Sequence, residues 1–210
     1  MSASSPILGV GGTAALVSQG AVNELTRQAL GLQEFWQGKG WEACVIGGLA
    51  VQAWGEPRFT MDVDVSLLTG LGREEEVIAA WLEKFPSRIP QPESFALENR
   101  VLLLRGPEGI GIDVALGCLP FEERAIRNAV EVELEPGAFV RVCQPEDLIV
   151  MKAFADRPQD WLDIRGILIR QKDRPLDWPR ILRDLKPLAR AKEKPEILGT
   201  LENLRTEAGN

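Results

Sequence analysis

Residues 45–68, VIGGLAVQAWGEPRFTMDVDVSLL, restrict how this chain can fold more than any other part of it. A short apolar run leads into Gly47-Gly48, a helix-like stretch follows, and an apolar run bearing Asp62 and Asp64 comes next. An ionised carboxylate is costly to place in a sheet unless a partner neutralises it. The order predicts a strand, a glycine turn, a short helix and a second strand whose two acids need a cationic partner.

Alternation along the second strand places both acids on one face. Successive side chains of a β-strand point to opposite faces. We therefore expect an apolar face of Met61, Val63 and Val65 and a polar face of Asp62, Asp64 and Ser66. A rise of about 3.3 Å per residue separates the two carboxylates by about 6.6 Å along the strand, from where they can converge on one or two hard divalent cations.

A third acid lies in a second apolar stretch, residues 110–116. Asp113 shares its strand face with Gly111 and Ala115, and these small neighbours leave room beside it. If this strand pairs with the strand at 61–67, all three acids share one wall.

Each motif by itself has a structural explanation as well. A solvated strand face or an acidic turn explains an Asp-x-Asp pair without a metal, and a strand-to-helix turn needs glycine for steric reasons. The ordered combination favours function, because N–H groups at the start of a helix bind phosphate and paired acids bind metal ions.

The composition excludes several kinds of chemistry. The chain has 210 residues and no histidine, so Ser-His-Asp and Cys-His mechanisms and histidine-bearing zinc sites are excluded. Its three cysteines are odd in number, widely separated and in or beside apolar runs, so neither a disulfide framework nor a zinc cluster fits. The start lacks a basic leader and no stretch of about 18 apolar residues occurs, so we expect a soluble, cytoplasmic protein without a membrane span.

Charge is unevenly distributed along the chain. The net charge of −7 argues against general nucleic-acid binding. Residues 141–194, however, contain 13 Lys and Arg against 9 Asp and Glu, a local charge of +4, which leaves −11 elsewhere. This basic segment keeps RNA open as a partner, although mixed-charge helix faces explain it equally well.

The predicted fold class is α+β, with a mixed β-sheet flanked by helices followed by a helical C-terminal portion. We expect helices over 20–38, 49–54, 73–84 and 160–170, others beginning near Pro145 and Asp177, and a last one around 197–204. We expect strands over 43–46 and 61–67, hairpins of 101–104 with 110–116 and of 131–134 with 138–142, and a loop containing Pro86, Pro90 and Pro92. The proposed division is 1–143 for the core with its N-terminal helix and 144–210 for the helical portion.

Gly47-Gly48 is followed by thirteen residues and then by Asp62-Val63-Asp64. This spacing resembles the signature of the DNA polymerase β-like nucleotidyltransferase superfamily, and Asp113 is placed like the third carboxylate of that superfamily. RFTMDVD, residues 58–64, is similar to the R-x-T-x-D-x-D form of AbiEii-type nucleotidyltransferases, the toxins of certain abortive-infection toxin–antitoxin pairs. Residues 145–164, PEDLIVMKAFADRPQDWLDI, extend the resemblance, which covers about 43–170, through Lys152, Arg157, Asp160 and Asp163.

The resemblance implies a nucleotidyltransferase-like fold and Mg²⁺-dependent transfer of NMP from NTP to RNA, protein or a small molecule. Two Mg²⁺ ions, or Mn²⁺ in their place, would be held by the catalytic residues Asp62, Asp64 and Asp113, and Asp113 would help to deprotonate the acceptor. The implied nucleotide-binding residues are Gly47, Gly48, Arg58, Thr60, Lys152, Arg157 and Asp160, so the helical portion completes the nucleotide site. A cognate antitoxin is the implied protein partner.

Two positions depart from the family pattern. Family members often carry serine where this chain has Gly48 and a basic residue where it has Gln159. These departures permit an inactive nucleotide-binding or partner-binding module of the same fold, and a purely structural subunit is a third alternative. Lys152 could instead extend its ammonium group to solvent from a packed helix, and Asp160 could serve as a helix cap paired with Arg157.

Overall fold

The computed structural model describes residues 23–209. Its strands are β1 (Ala43–Val45), β2 (Asp62–Leu68), β3 (Val101–Arg105), β4 (Gly111–Gly117), β5 (Val130–Glu135) and β6 (Ala138–Val142). Its α-helices are α1 (Glu24–Gly38), α2 (Gly47–Trp54), α3 (Glu74–Lys84), α4 (Pro92–Asn99), α5 (Pro120–Arg127), α6 (Pro145–Ala155), α7 (Pro158–Arg170), α8 (Trp178–Ala191) and α9 (Glu196–Ala208).

Within the described range the strands form one six-stranded mixed sheet in the order β3-β4-β2-β1-β6-β5. The two predicted hairpins, β3 with β4 and β5 with β6, are antiparallel and lie at the two edges. The central strand β2 runs antiparallel to β1 and parallel to β4. The predicted α+β class, with a mixed sheet, flanking helices and a helical C-terminal portion, is confirmed.

Local sequence signals explain where most elements begin. The side chain of Asn23 accepts the Thr26 N–H at 2.9 Å and caps α1, while residues 20–22 of the predicted helix lie outside the described range. Pro145 and Pro158 occupy the first turns of α6 and α7, where proline lacks only an N–H that the helix leaves unpaired. The predicted interruption at Pro158 is therefore the start of a new helix.

The structure corrects the sequence prediction in three places. The segment after Pro90 is not all loop, because Pro92 opens α4 directly after Gln91, whose φ of 50° turns the chain. Helix α5 was not predicted at all. Met61 does not belong to the apolar strand face, because β2 begins one residue later and 66% of Met61 is exposed.

One hydrophobic core joins the sheet to the C-terminal helices. Val63 and Val65 of β2 are fully buried, as predicted, and they belong to the same cluster as Leu148 of α6 and Ile164 of α7. Helix α2 contacts β2 and also α6 and α7. The proposed division at residue 143 stays a prediction. In the part of the chain that the structure describes, no helix has the length and apolar character needed to span a membrane.

Candidate active site

A cleft of about 400 Å³ opens beside the start of α2, between the sheet and helices α6 and α7. Its lining includes every residue that the sequence predicts for the site: Gly47, Gly48, Arg58, Thr60, Asp62, Asp64, Asp113, Lys152, Arg157 and Asp160. These residues come from three separate stretches of the chain, which only the fold brings together. Their roles stay predictions.

The parallel pairing of β2 with β4 places the acids on one wall. Asp64 lies opposite Asp113, and Asp62 lies opposite Gly111. A Cβ atom at Gly111 would stand 2.1 Å from Asp62 Oδ1, so this glycine makes room for the Asp62 carboxylate. Burial raises the pKa of Asp113 above its usual range, Arg88 opposes the rise and Asp62 adds to it.

The glycine turn is fitted closely to Asp64. Gly47 has a φ of +59°, and a Cβ atom there would lie 1.9 Å from Asp64 Oδ2. The N–H of Gly48 donates to the same oxygen at 3.3 Å. Burial raises the pKa of Asp64 to about 6, the Gly48 hydrogen bond opposes this rise, and the neighbouring Asp113 and Asp62 charges add to it. The turn therefore holds a carboxylate that is costly to ionise.

The absence of a side chain at Gly48 has a steric reason. A Cβ atom at this position would stand 2.5 Å from Thr60 Oγ1 and 2.8 Å from Thr60 Cβ. Thr60 thus fills the space that a serine at position 48 would need. Its hydroxyl lies at the glycine turn and lines the cleft.

Lys152 lies at the centre of a buried ion-pair network on the opposite wall. Its Nζ is 2.6 Å from Asp163 Oδ2 and 3.1 Å from Asp160 Oδ1, and only 6% of its side chain is exposed. Arg58 holds the same Asp163 carboxylate with two hydrogen bonds, of 2.8 and 3.1 Å. The ammonium group therefore faces carboxylates and does not extend to solvent.

Asp160 has a structural role as well as a place in the cleft wall. Its Oδ2 accepts the backbone N–H of Arg157 at 3.3 Å and the Arg157 Nε–H at 2.6 Å, so it caps the start of α7. Gln159 donates to Asp163 at 2.9 Å and therefore joins the network. Although burial raises the pKa values of Asp160 and Asp163, their cationic and hydrogen-bonded partners bring both below the usual range.

Arg88 is a site residue that the sequence reasoning missed. It lies in the loop between α3 and α4, its Nη2 contacts Asp113 Oδ1, and its Nη1 is 4.0 Å from Asp62 Oδ1. No periodic pattern marks this arginine, because it stands in the irregular segment FPSRIP. Only the packing of that loop against β3 and β4 brings it to the acids.

The donors fit a hard divalent cation in chemical type. Mg²⁺ and Mn²⁺ prefer carboxylate oxygens, and Asp62, Asp64 and Asp113 supply them on one wall. Among residues 23–209, however, no group of three or more acidic, cysteine or histidine side chains is arranged so that it could hold a metal ion. Arg88 is instead paired with Asp113 and lies 4.0 Å from Asp62, so the carboxylates are present but a guanidinium interacts with two of them.

Comparison with known proteins gives a family and distant structural likenesses. The family model described as nucleotidyl transferase AbiEii toxin, type IV TA system, matches residues 42–205. No curated protein matches the chain.

Three solved structures illustrate the structural likeness. An antigenic nucleotidyltransferase-like protein from Paracoccidioides brasiliensis shares 17% identity at a TM-score of 0.48, with 85% of this chain and 92% of that chain covered. The lincosamide antibiotic adenylyltransferase LnuA, lincomycin-bound, shares 14% identity at a TM-score of 0.45, with 69% and 98% covered. ANT(2'')-Ia in complex with adenylyl-2''-tobramycin shares 15% identity at a TM-score of 0.42, with 86% and 98% covered.

Proposed function

Because this chain belongs to the AbiEii family of nucleotidyl transferases, we propose that its cleft transfers a nucleoside monophosphate from an NTP to an acceptor hydroxyl with the help of a divalent cation. The family assignment confirms the predicted enzyme class, nucleotidyltransferase. The observation that carries the proposal of the site is that a wall of acids and a wall of cations face one cleft that begins at a glycine turn.

The acidic wall is the proposed cation site. Asp62, Asp64 and Asp113 would hold Mg²⁺, and Mn²⁺ suits the same oxygen donors. Once bound, the cation would supply charge neutralisation at the reacting phosphate and at the pyrophosphate leaving group. No histidine is needed, because carboxylates alone bind such an ion.

The opposite wall is the proposed triphosphate site. Arg58, Lys152 and Arg157 carry three positive charges, whereas the carboxylates of Asp160 and Asp163 carry two negative charges. The network therefore has a surplus positive charge. Of the three cationic side chains, Arg157 is the most accessible, because 73% of its side chain is exposed.

The start of α2 adds donors to the same site. Backbone N–H groups at a helix N-terminus favour bound phosphate, and the lack of side chains at Gly47 and Gly48 lets phosphate approach the backbone closely. The Thr60 hydroxyl beside them can donate a hydrogen bond where Gly48 has no side-chain donor.

In the proposed reaction the acceptor oxygen forms a bond to the α-phosphorus, and the bond from that phosphorus to the bridging oxygen of the β-phosphate breaks. Pyrophosphate leaves with the electron pair of that bond. Asp113 accepts the proton that the acceptor hydroxyl loses.

The toxin role and the location are part of the proposal. The matched family is described as the toxin of a type IV toxin–antitoxin system, and we extend that role, with a cognate antitoxin as partner, to this chain. Its proposed location is the cytoplasm, which supplies NTP. The acceptor is proposed only as a hydroxyl-bearing RNA, protein or small molecule.

Purified protein incubated with α-³²P-labelled NTPs, Mg²⁺ and total cellular RNA tests the activity. We expect label on RNA or on protein, or release of pyrophosphate, and loss of at least about 100-fold in Asp62→Asn and Asp64→Asn because each removes a charged cation ligand. Asp173→Asn, an exposed aspartate far along the chain, is the matched control and should keep full activity. Equal NTP binding by wild type and both variants, without any transfer, would overturn the proposal.

A further inference from the structure

Arg88 brings a positive charge of the chain itself to the acids that are proposed to bind the cation. Its guanidinium contacts Asp113 Oδ1 through Nη2 and lies 4.0 Å from Asp62 Oδ1 through Nη1. It therefore interacts with two of the three acids. The third, Asp64, accepts a hydrogen bond from the Gly48 N–H.

The sheet fixes the backbone that carries this side chain. The N–H of Arg88 donates to the Leu103 carbonyl at 3.0 Å, and the N–H of Arg105 donates to the Pro86 carbonyl at 2.8 Å. Ser87 forms an isolated antiparallel bridge with Leu104 of β3. The loop is thus held to the edge of the sheet at the residues around Arg88, and the position of the guanidinium follows from the fold.

The opposite strand leaves room for this contact. A Cβ atom at Gly111 would stand 3.0 Å from Arg88 Nη1 and 2.1 Å from Asp62 Oδ1, so any side chain there would push the two groups apart. The Nε–H of Arg88 is buried and has no hydrogen-bond partner among residues 23–209. Burying an unpaired donor is costly, and the ion pairs of the same guanidinium offset that cost.

The charges indicate what the arginine does. The three acids carry three negative charges, and one divalent cation together with one guanidinium carries three positive charges. We propose that Arg88 takes the place of one of the two cations in the nucleotide-free enzyme, so that a single divalent ion binds at Asp62 and Asp64 while Asp113 stays paired with Arg88. A second ion reaches Asp113 only when the guanidinium leaves it. This inference rests on the proposed function, because it assumes that the acids bind a divalent cation.

Titration of metal-free protein with Mn²⁺ in the absence of nucleotide, followed by electron paramagnetic resonance, tests the inference without an activity assay. We expect wild type to bind one ion. Arg88→Gln should bind a second ion, or bind Mn²⁺ at least about tenfold more tightly, because a positive charge within about 4–6 Å of a carboxylate competes with other cations by this much or more.

Three control variants separate the possible causes. Arg88→Lys keeps the charge and should behave like wild type. Arg165→Gln removes an exposed arginine from a different part of the chain, helix α7, and should leave Mn²⁺ binding unchanged. The double variant Asp62→Asn with Asp64→Asn should lose the ion altogether.

The outcomes distinguish this inference from the proposed function. Equal ion number and affinity in wild type and Arg88→Gln would overturn the role of Arg88 while leaving the cation site intact. Two ions of equal affinity in wild type would overturn it without any variant, so the test holds even where Arg88→Gln fails to fold. Binding by wild type no stronger than by the double variant would instead overturn the proposed function.

Discussion

At the scale of single residues, the cleft holds aspartates in two opposite electrostatic states. Burial raises the pKa of Asp64 to about 6, so its ionised form destabilises the folded protein at neutral pH. Asp163 has the opposite property, because Arg58 and Lys152 bring its pKa below the usual range despite burial. Substitution of each by asparagine should therefore change stability in opposite directions.

We expect Asp64→Asn to stabilise the protein in EDTA at pH 8 by about 1–3 kcal/mol while abolishing transfer. The native pKa of about 6 lies above the ordinary 3.8, so the destabilisation is complete above pH 6 and fades as the pH falls from 6 to 3.8. The stability gained by Asp64→Asn should become smaller as the pH falls over the same range. Denaturant unfolding at pH 8, 5 and 4 measures it, and a variant less stable than wild type at pH 8 would contradict the interpretation.

Asp163→Asn should destabilise the protein at pH 7 by about 3 kcal/mol, because two cations lose a buried partner. A lowered native pKa contributes stability that is complete above the ordinary aspartate value of 3.8 and is lost as the pH falls through the native value. Wild type and variant should thus converge in acid. Urea unfolding between pH 7 and pH 2 checks this, with Asp173→Asn as the exposed control, and a difference that does not shrink below pH 3.8 argues against the ion pairs as its cause.

At the scale of elements, the residue type tolerated at the start of α2 depends on the neighbouring side chain of Thr60. Gly48 is in the first turn of α2 and Thr60 lies between α2 and β2, and the side chain of Thr60 occupies the space next to Gly48. In this chain, therefore, a serine at position 48 would compete with Thr60 for space. The interpretation that Gly48 permits an inactive module did not take this neighbour into account.

Gly48→Ser should destabilise the protein by about 1–3 kcal/mol, because its Cβ would meet Thr60 Oγ1 at 2.5 Å. Thr60→Gly should relieve that conflict, since it also removes the Thr60 Cβ. A double-mutant cycle on unfolding free energies should give a coupling of at least about 1 kcal/mol. Additive effects would show that the two side-chain positions do not compete for space.

The sequence predicted most of the elements whose residues carry a period, although it missed helix α5, whose buried Phe121 and Ala125 are four residues apart. The alternation around Asp62 and Asp64 predicted β2 and its polar face, and Asp113 followed from the same rule. Helix α4 was missed because three prolines nearby indicated a loop, although Pro92 is compatible with a first helical turn. Arg88 was missed because its place depends on the pairing of a loop with β3, which no local pattern encodes.

At the scale of the whole molecule, the site depends on how the C-terminal helices pack against the sheet. Two glycines allow α7 to approach the end of α2 closely: a Cβ atom at Gly55 would lie 2.9 Å from Ile167 Cγ1, and one at Gly166 would lie 3.1 Å from the Glu56 N. This contact is next to Arg58, whose partner Asp163 is on α7. The distance between α2 and α7 therefore determines how the Arg58 guanidinium meets the Asp163 carboxylate.

Gly166→Val should separate α7 from residues 55–57, because the added side chain would meet the Glu56 backbone and side chain at 3.1–3.2 Å already at its Cβ. We expect a loss of about 1–3 kcal/mol in unfolding free energy. NTP affinity should also fall at a temperature where the variant is still folded, because Arg58 and Asp163 no longer meet in the same geometry.

Gly199→Val is the matched control for this prediction. It places the same side chain in a helix, α9, at a position where no heavy atom of residues 23–209, apart from the adjoining helix backbone, lies within 4 Å of the new Cβ, and valine has a better helix propensity than glycine. This control should therefore be neutral or slightly stabilising, with unchanged NTP affinity. Thermal unfolding and calorimetric titration with a non-hydrolysable NTP measure both quantities. If Gly166→Val lowers stability but leaves NTP affinity intact, the packing of α7 supports the fold without shaping the cation wall.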